Sequence, residues 1–303
     1  MESVIEVNNL RKRYGSYTAI DDVTFDVRRG EIFGLLGRNG AGKTTTVECL
    51  QGLRRSDGGR IRVLGLDPQK HTQRLRKRIG SQLQEAALPD RIKVWEALDL
   101  FASLTPGAAD PQTLMEQWDL TSKRGTSFSG LSGGQRQRLF VALALVNNPE
   151  VVFLDELTQG LDPAARRVAW DLIGAIRDRG ATVMLVTHYM DEAEHLCDRV
   201  AVIDAGKIVA SDSPGGLISR FGGPMRITFT SNGTETTGLD RVPHVQSVTM
   251  RGPRVVLEGS GPVLGLVAAE LVSRGRYPSD LMVEQPTLED VFLRLTGDDK
   301  EAA

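Results

Sequence analysis

An α/β architecture with a mixed sheet at its core, followed by a smaller α+β unit, is the fold class this chain predicts. Three observations carry that prediction. Short apolar runs of buried-strand type recur at 31–36, 151–154 and 181–187. The first leads through a Gly-rich loop into a helix-forming stretch, and the last two flank a helical segment, the pattern of a parallel βαβ unit. Composition then shifts at 211–224, where Ser-Asp-Ser-Pro-Gly-Gly and Phe-Gly-Gly-Pro cluster in the manner of a linker. The expected division is a first domain over 1–218, with a helical portion at about 86–147, and a second over 219–303.

The elements follow in order. Residues 3–35 are β-rich, with strands expected at 4–7, 25–27 and 32–36 between polar turns, and another at 61–64 after the turn-forming Ser-Asp-Gly-Gly. The helical stretch 86–147 places Val94, Leu98 and Phe101 on one apolar stripe. Asp162-Pro163 predicts an N-cap followed by Pro at the first helical position, and Gly180 a stop. Beyond the linker, strands are expected at 226–230, 246–250 and 254–258, then a helix at 263–273 and a capped amphipathic helix within 286–295.

Composition narrows the class. The chain has 303 residues, 40 % hydrophobic and 25 % charged, with a formal net charge of −2, so bulk basicity gives no sign of a nucleic-acid partner. Cys49 and Cys197 fall in expected helices with no pairing pattern, which suits a reducing compartment. The N-terminal Met-Glu-Ser-Val-Ile-Glu-Val has neither a basic start nor an apolar core, predicting no signal peptide. The longest apolar run, 139–146, is eight residues, against about 18–20 for a membrane span.

Residues 37–44 read Gly-Arg-Asn-Gly-Ala-Gly-Lys-Thr and fit the phosphate-loop pattern G-x-x-x-x-G-K-[ST] at every fixed position. Gly37, Gly40 and Gly42 let backbone N–H groups converge on an anion. Lys43 can reach β- and γ-phosphates, and the Thr44 hydroxyl can ligate Mg²⁺. The preceding strand and following helix are the setting that this motif requires. Asp155-Glu156 closes the 151–154 run with two adjacent carboxylates, one suited to a metal and one to a water. A second anion site is expected at Leu131-Ser132-Gly133-Gly134-Gln135, where Ser132 and Gln135 form a capping box over a helix that begins with two glycines.

With these motifs in place, the chain resembles the ATP-binding subunits of ABC transporters over residues 1 to about 218. The resemblance implies the P-loop NTPase fold, with ATP and Mg²⁺ as ligands. It makes 37–44 the Walker A loop, with Arg38, Asn39, Ala41 and Thr45 also at the nucleotide. It makes 151–155 Walker B, with Asp155 at the metal, and puts Glu156 in the catalytic-glutamate position. It assigns 131–135 to the signature loop, Asp162 to the D-loop, His188 to the switch histidine and Tyr14 to the adenine-stacking aromatic. Gln84, rather than Gln82, matches the glutamine that contacts Mg²⁺ and the attacking water, because Ile79-Gly80 precedes it at the family's spacing. Leu157 stands where the family has Pro. Two subunits are expected to pair head to tail, as a homodimer, and to drive a separately encoded membrane permease from the cytoplasmic face, with no nucleic acid involved. The entry to the phosphate loop and the tail at 286–297 resemble the daunorubicin-resistance exporter type.

Three alternatives compete. An importer subunit is nearest. A non-transport ABC ATPase acting on ribosomes or DNA is opposed by the single Walker A loop and the lack of sustained heptads. A serine hydrolase is suggested by Gly130-Leu-Ser-Gly-Gly134 with Asp155 and His188 following in order. The segment before that Ser is polar, however, and the motif needs a buried strand there.

Overall fold

The computed structural model describes residues 2–82, 88–105, 107–231 and 238–297. The chain divides into two compact units, one up to Pro214 and one from Gly215.

The first unit opens with a long hairpin, β1 (Ser3–Tyr14) and β2 (Tyr17–Arg28), followed by β3 (Ile32–Leu36), α1 (Lys43–Leu50), β4 (Gly58–Val63), α2 (Thr72–Arg76) and β5 (Ile79–Gln82). Both hairpin strands are 12 residues long and so extend well beyond the short runs expected from apolar residues. The shifts of register along β1 break its alternation into pieces, which is why only fragments look like strand. Helices α3 (Val94–Ser103), α4 (Pro111–Gln117) and α5 (Gly133–Ala144) follow. Val94 and Leu98 are fully buried as their spacing predicts, but Phe101 is 39 % exposed. Next come β6 (Val151–Asp155), α6 (Pro163–Asp178), β7 (Thr182–Thr187), α7 (Met190–Leu196), β8 (Arg199–Asp204) and β9 (Lys207–Asp212).

Two sheets organise this unit. The antiparallel one has the order β2-β1-β4 and the larger one β5-β6-β7-β3-β8-β9. Neighbours in the larger sheet are parallel except β8 with β9. Its central strands are buried along their whole length, as expected when a parallel sheet is covered on both faces. One apolar core joins the two sheets, with Val7, Val23 and Val27 of the antiparallel sheet meeting Phe33, Leu35, Phe153 and Met184. Phe25 stacks on Phe33 at 5.3 Å. The end of α5 approaches β5 so closely that a Cβ at Gly80 would lie 2.0 Å from the Ala144 carbonyl oxygen. Cys49 lies in α1, whereas Cys197 follows α7 in extended backbone; both are free and buried.

Helix α8 (Pro214–Phe221) leads to the second unit, which has β10 (Met225–Thr230), β11 (Val245–Arg251), β12 (Arg254–Gly259), α9 (Val263–Ser273), β13 (Met282–Glu284) and α10 (Leu288–Thr296). Its antiparallel sheet has the order β11-β12-β10-β13. Ile227, Phe229, Val255 and Leu257 pack against Val263, Val267 and Leu271 of α9 in a core of their own. Thr287 caps α10 in a reciprocal box with Asp290.

Candidate functional site

The functional side chains gather where the parallel strands of the larger sheet end. Strand β3 ends at Leu36, and the loop 37–42 turns into α1. Gly37 is fixed by packing, since a Cβ there would meet the Ile203 carbonyl oxygen at 2.4 Å. Gly42 caps α1 at φ +105°, a conformation that side chains reject, and a Cβ would lie 2.6 Å from the Ala19 carbonyl oxygen. The Gly40 position is open, with nothing within 4 Å of a Cβ. The loop is closed from within by Ala41 N–H, which donates to Arg38 O at 3.1 Å. Lys43 folds back over it and donates to Gly37 O at 2.8 Å and Arg38 O at 3.1 Å.

Strand β6 brings Asp155 and Glu156 to the same end of the sheet. Glu156 has φ +51°, uncommon for a residue with a side chain, and its carboxylate is 5 % exposed. One oxygen lies 3.7 Å from Lys43 Nζ and 3.2 Å from His188 Nδ1. His188 follows β7, and its ring lies 4.2 Å from that of Tyr189. Burial lowers the Lys43 ammonium from its ordinary value, against the pull of Glu156 and Asp155. Asp155 is pushed up to about 6, chiefly by burial, while a hydrogen bond from the Thr44 hydroxyl opposes the shift. Asp155 Oδ1 is buried with no hydrogen-bond partner among the described residues.

Around these groups lies a cleft of about 340 Å³, lined by Tyr14, Tyr17, Asn39, Gly40, Gly42, Lys43, Thr44, Thr45 and Glu156, with Ala19. Tyr14 ends β1 directly opposite Tyr17 across the hairpin turn, and the Arg54 guanidinium lies 5.1 Å from its ring centre. Asp57 holds this end of β1 by accepting from Arg13 N at 2.8 Å and Lys12 Nζ at 3.0 Å. No motif marks Tyr17, yet its hydroxyl donates to Gly40 O at 3.3 Å and ties the hairpin to the loop. The signal available for it was the two-residue Gly-Ser connection, which forces the flanking residues to pair.

A second cleft, of about 490 Å³, collects Ser132, Gly133, Gly134 and Gln135 with Gly160, Leu161 and Asp162. It shares no lining residue with the first. Ser132 caps α5 by accepting from Gln135 N at 3.4 Å, and Gln135 Oε1 accepts from Ser132 N at 3.1 Å. Cβ atoms at Gly133 and Gly134 would meet nothing within 4 Å. Leu131 is buried beneath this helix start. Asp162 caps α6 and accepts from both Ala164 N and Ala165 N at 2.9 Å. Gln84 lies outside the described residues.

The serine-hydrolase geometry is not formed. A short 3-10 turn, Phe128–Gly130, precedes Ser132 where a nucleophile elbow needs a strand, and His188 is engaged by Glu156.

Comparison with known proteins gives a consistent result. The ABC transporter family profile matches residues 20–159. The daunorubicin resistance ATP-binding protein DrrA3 of Streptomyces coeruleorubidus is 38 % identical, over 100 % of this chain and 99 % of its own. Nod factor export ATP-binding protein I of Ralstonia nicotianae is 36 % identical, over 97 % of this chain and 94 % of its own. Linearmycin resistance ATP-binding protein LnrL of Bacillus subtilis is 33 % identical, over 97 % and 98 %. Among solved structures, an ATP-binding subunit of an ABC transporter superposes with a TM-score of 0.64 at 27 % identity, covering 72 % of this chain and 93 % of its own. The phosphate-loop fold and full-length similarity to these relatives together make this chain a member of the ABC transporter ATP-binding subunits, an ATPase.

Proposed function

We propose that this chain hydrolyses ATP as a head-to-tail homodimer and powers a separately encoded membrane permease that exports drugs or other hydrophobic compounds. The observation that carries the hydrolytic part is the Lys43–Glu156–His188 cluster at the phosphate-loop cleft, with Lys43 and Glu156 shielded from water and His188 part-exposed. Export is supported by the relatives, which are named for daunorubicin resistance, Nod factor export and linearmycin resistance. Those names favour export over import. Among the described residues no helix is long and apolar enough to cross a membrane.

The donor set suits Mg²⁺. The Thr44 hydroxyl and the unpartnered, buried Asp155 Oδ1 are hard oxygen ligands, and Gln84 would add a third. When bound, Mg²⁺ neutralises charge on the β- and γ-phosphate oxygens. Backbone N–H groups of the 37–42 loop would cradle the phosphates, with Tyr14 against the base. Lys43 lies 3.7 Å from Glu156, and an arriving γ-phosphate competes for the same ammonium. Drawing Lys43 to phosphate would leave the Glu156 carboxylate to orient the attacking water, with His188 Nδ1 still against the oxygen that Lys43 leaves. Ser132 and the N–H of Gly134 from a second copy complete the donor set around the transferring group. The separation of the two clefts within one chain supports this trans arrangement. Peripheral attachment at the cytoplasmic face follows from the need to engage a permease.

The decisive variant is Glu156→Gln. It should bind ATP with near-wild-type affinity, lose turnover by about 100-fold or more, and accumulate as an ATP-held dimer in size-exclusion chromatography. Wild-type turnover in that variant removes Glu156 from the mechanism. Copurification with a multi-span permease, and loss of drug efflux when the chain is deleted, tests the export assignment.

A further inference from the structure

Of the three glycines in the phosphate loop, only Gly40 is unsupported by packing. Cβ atoms at Gly37 and Gly42 would strike the carbonyl oxygens of Ile203 and Ala19, whereas one at Gly40 would meet nothing within 4 Å. The chain on either side is fixed. Arg38 O accepts from both Lys43 Nζ and Ala41 N. Ala41 is buried, and its own carbonyl accepts from Gly206 N at 3.1 Å. Asn39 and Gly40 form the exposed corner between these points, with Gly40 at φ +82°. A glycine in that conformation, with no neighbour against it, has wide freedom to turn.

Among the described residues, the only hydrogen bond that Gly40 O accepts comes from the Tyr17 hydroxyl, at 3.3 Å. Tyr17 is 57 % exposed, so burial does not account for the large side chain at this position. The hairpin end that carries it is firm. Tyr17 pairs with Tyr14 across the Gly15-Ser16 turn, and beside it Asp57 accepts from Arg13 N and Lys12 Nζ. Arg54, whose guanidinium lies over the Tyr14 ring, is itself held by Glu48 of α1. The hairpin end is thus anchored independently of Tyr17. Its two tyrosines line one cleft with Gly40, Lys43, Thr44 and Thr45.

We propose that Tyr17 is a positioning residue for nucleotide binding. Its hydroxyl holds the Gly40 carbonyl, and with it the free corner of the loop, in the orientation that receives phosphate. The corner is then ordered before the ligand arrives, which tightens binding without touching the reacting groups. The inference rests on the reading of 37–44 as the phosphate site. It assigns the hydroxyl to the phosphate end of the ligand, not to the base or ribose.

The test is equilibrium binding of ATP and of inorganic triphosphate, each with Mg²⁺, to the full chain, alongside steady-state ATPase kinetics. Tyr17→Phe removes one oxygen from an exposed ring, so the chain should melt as the wild type does. It should bind both ligands about three- to tenfold more weakly, the worth of one hydrogen bond, and by the same factor for each. KM for ATP should rise by that factor while kcat stays within about twofold. Wild-type affinity in Tyr17→Phe overturns the proposal. So does a loss confined to ATP, which would put the hydroxyl on the nucleoside. A lower kcat at unchanged KM also overturns it. Lys43→Ala is the control. If it binds both ligands like the wild type, the phosphate-site reading and this proposal fall together. If it loses both while Tyr17→Phe keeps both, the proposal alone falls.

Discussion

At the scale of single residues, the site is built from charges that the fold keeps away from water. Asp155 carries the clearest consequence. Its carboxyl is raised from 3.8 to about 6, first by burial. The folded state therefore holds the proton more tightly than the unfolded one. The ionised group imposes no penalty below the unfolded pKa, and the penalty grows as pH rises, reaching its full size above the folded pKa. In chelator and without nucleotide, Asp155→Asn should stabilise the chain by about 1–3 kcal/mol at pH 7.5. Thermal melts should show that gain shrinking as pH falls from 6 toward 4. The phosphate loop and the paired carboxylates stand out as motifs because each is contiguous in the chain. The tie of Tyr17 to Gly40 does not, because it joins segments 23 residues apart and shows only after folding.

At the scale of elements, local sequence chemistry decided the helix starts and tertiary packing decided much else. Asp162 with Pro163, and Ser132 with Gln135, announce α6 and α5 and form as announced. Strands β5 and β9 carried no comparable signal, since polar residues leave neither the continuous apolar run that marks β3, β6 and β7, and each gains its identity from the sheet it joins. Phe101 kept its place on the helical stripe but lies on the lining of a surface groove with Gln51, Leu53 and Leu143 rather than in the core. The Asp162 side chain satisfies two N–H groups that α6 would otherwise leave unpaired. Asp162→Ala should cost about 1 kcal/mol, measured as a lower midpoint in urea. Asp162→Asn, which keeps the acceptor oxygen, should recover most of it.

At the scale of the whole molecule, each chain carries two separate clefts, and the proposed dimer makes each reaction site from one of each. Complementation follows from that arithmetic. Lys43→Ala damages the phosphate-loop cleft and Ser132→Arg the other, and each variant alone should be inactive. In an equal mixture about half the dimers are mixed and one of their two sites is intact, so about a quarter of wild-type ATPase activity should return. Activity staying at zero would place both clefts' contributions within one chain. The start of α5 adds a consequence of another kind. Alanine at 133 or 134 would touch no neighbour and would favour a helix more than glycine does. The fold itself asks for no glycine there, so the pair marks a spot where demands from outside the molecule outweigh thermodynamic optimisation of the chain.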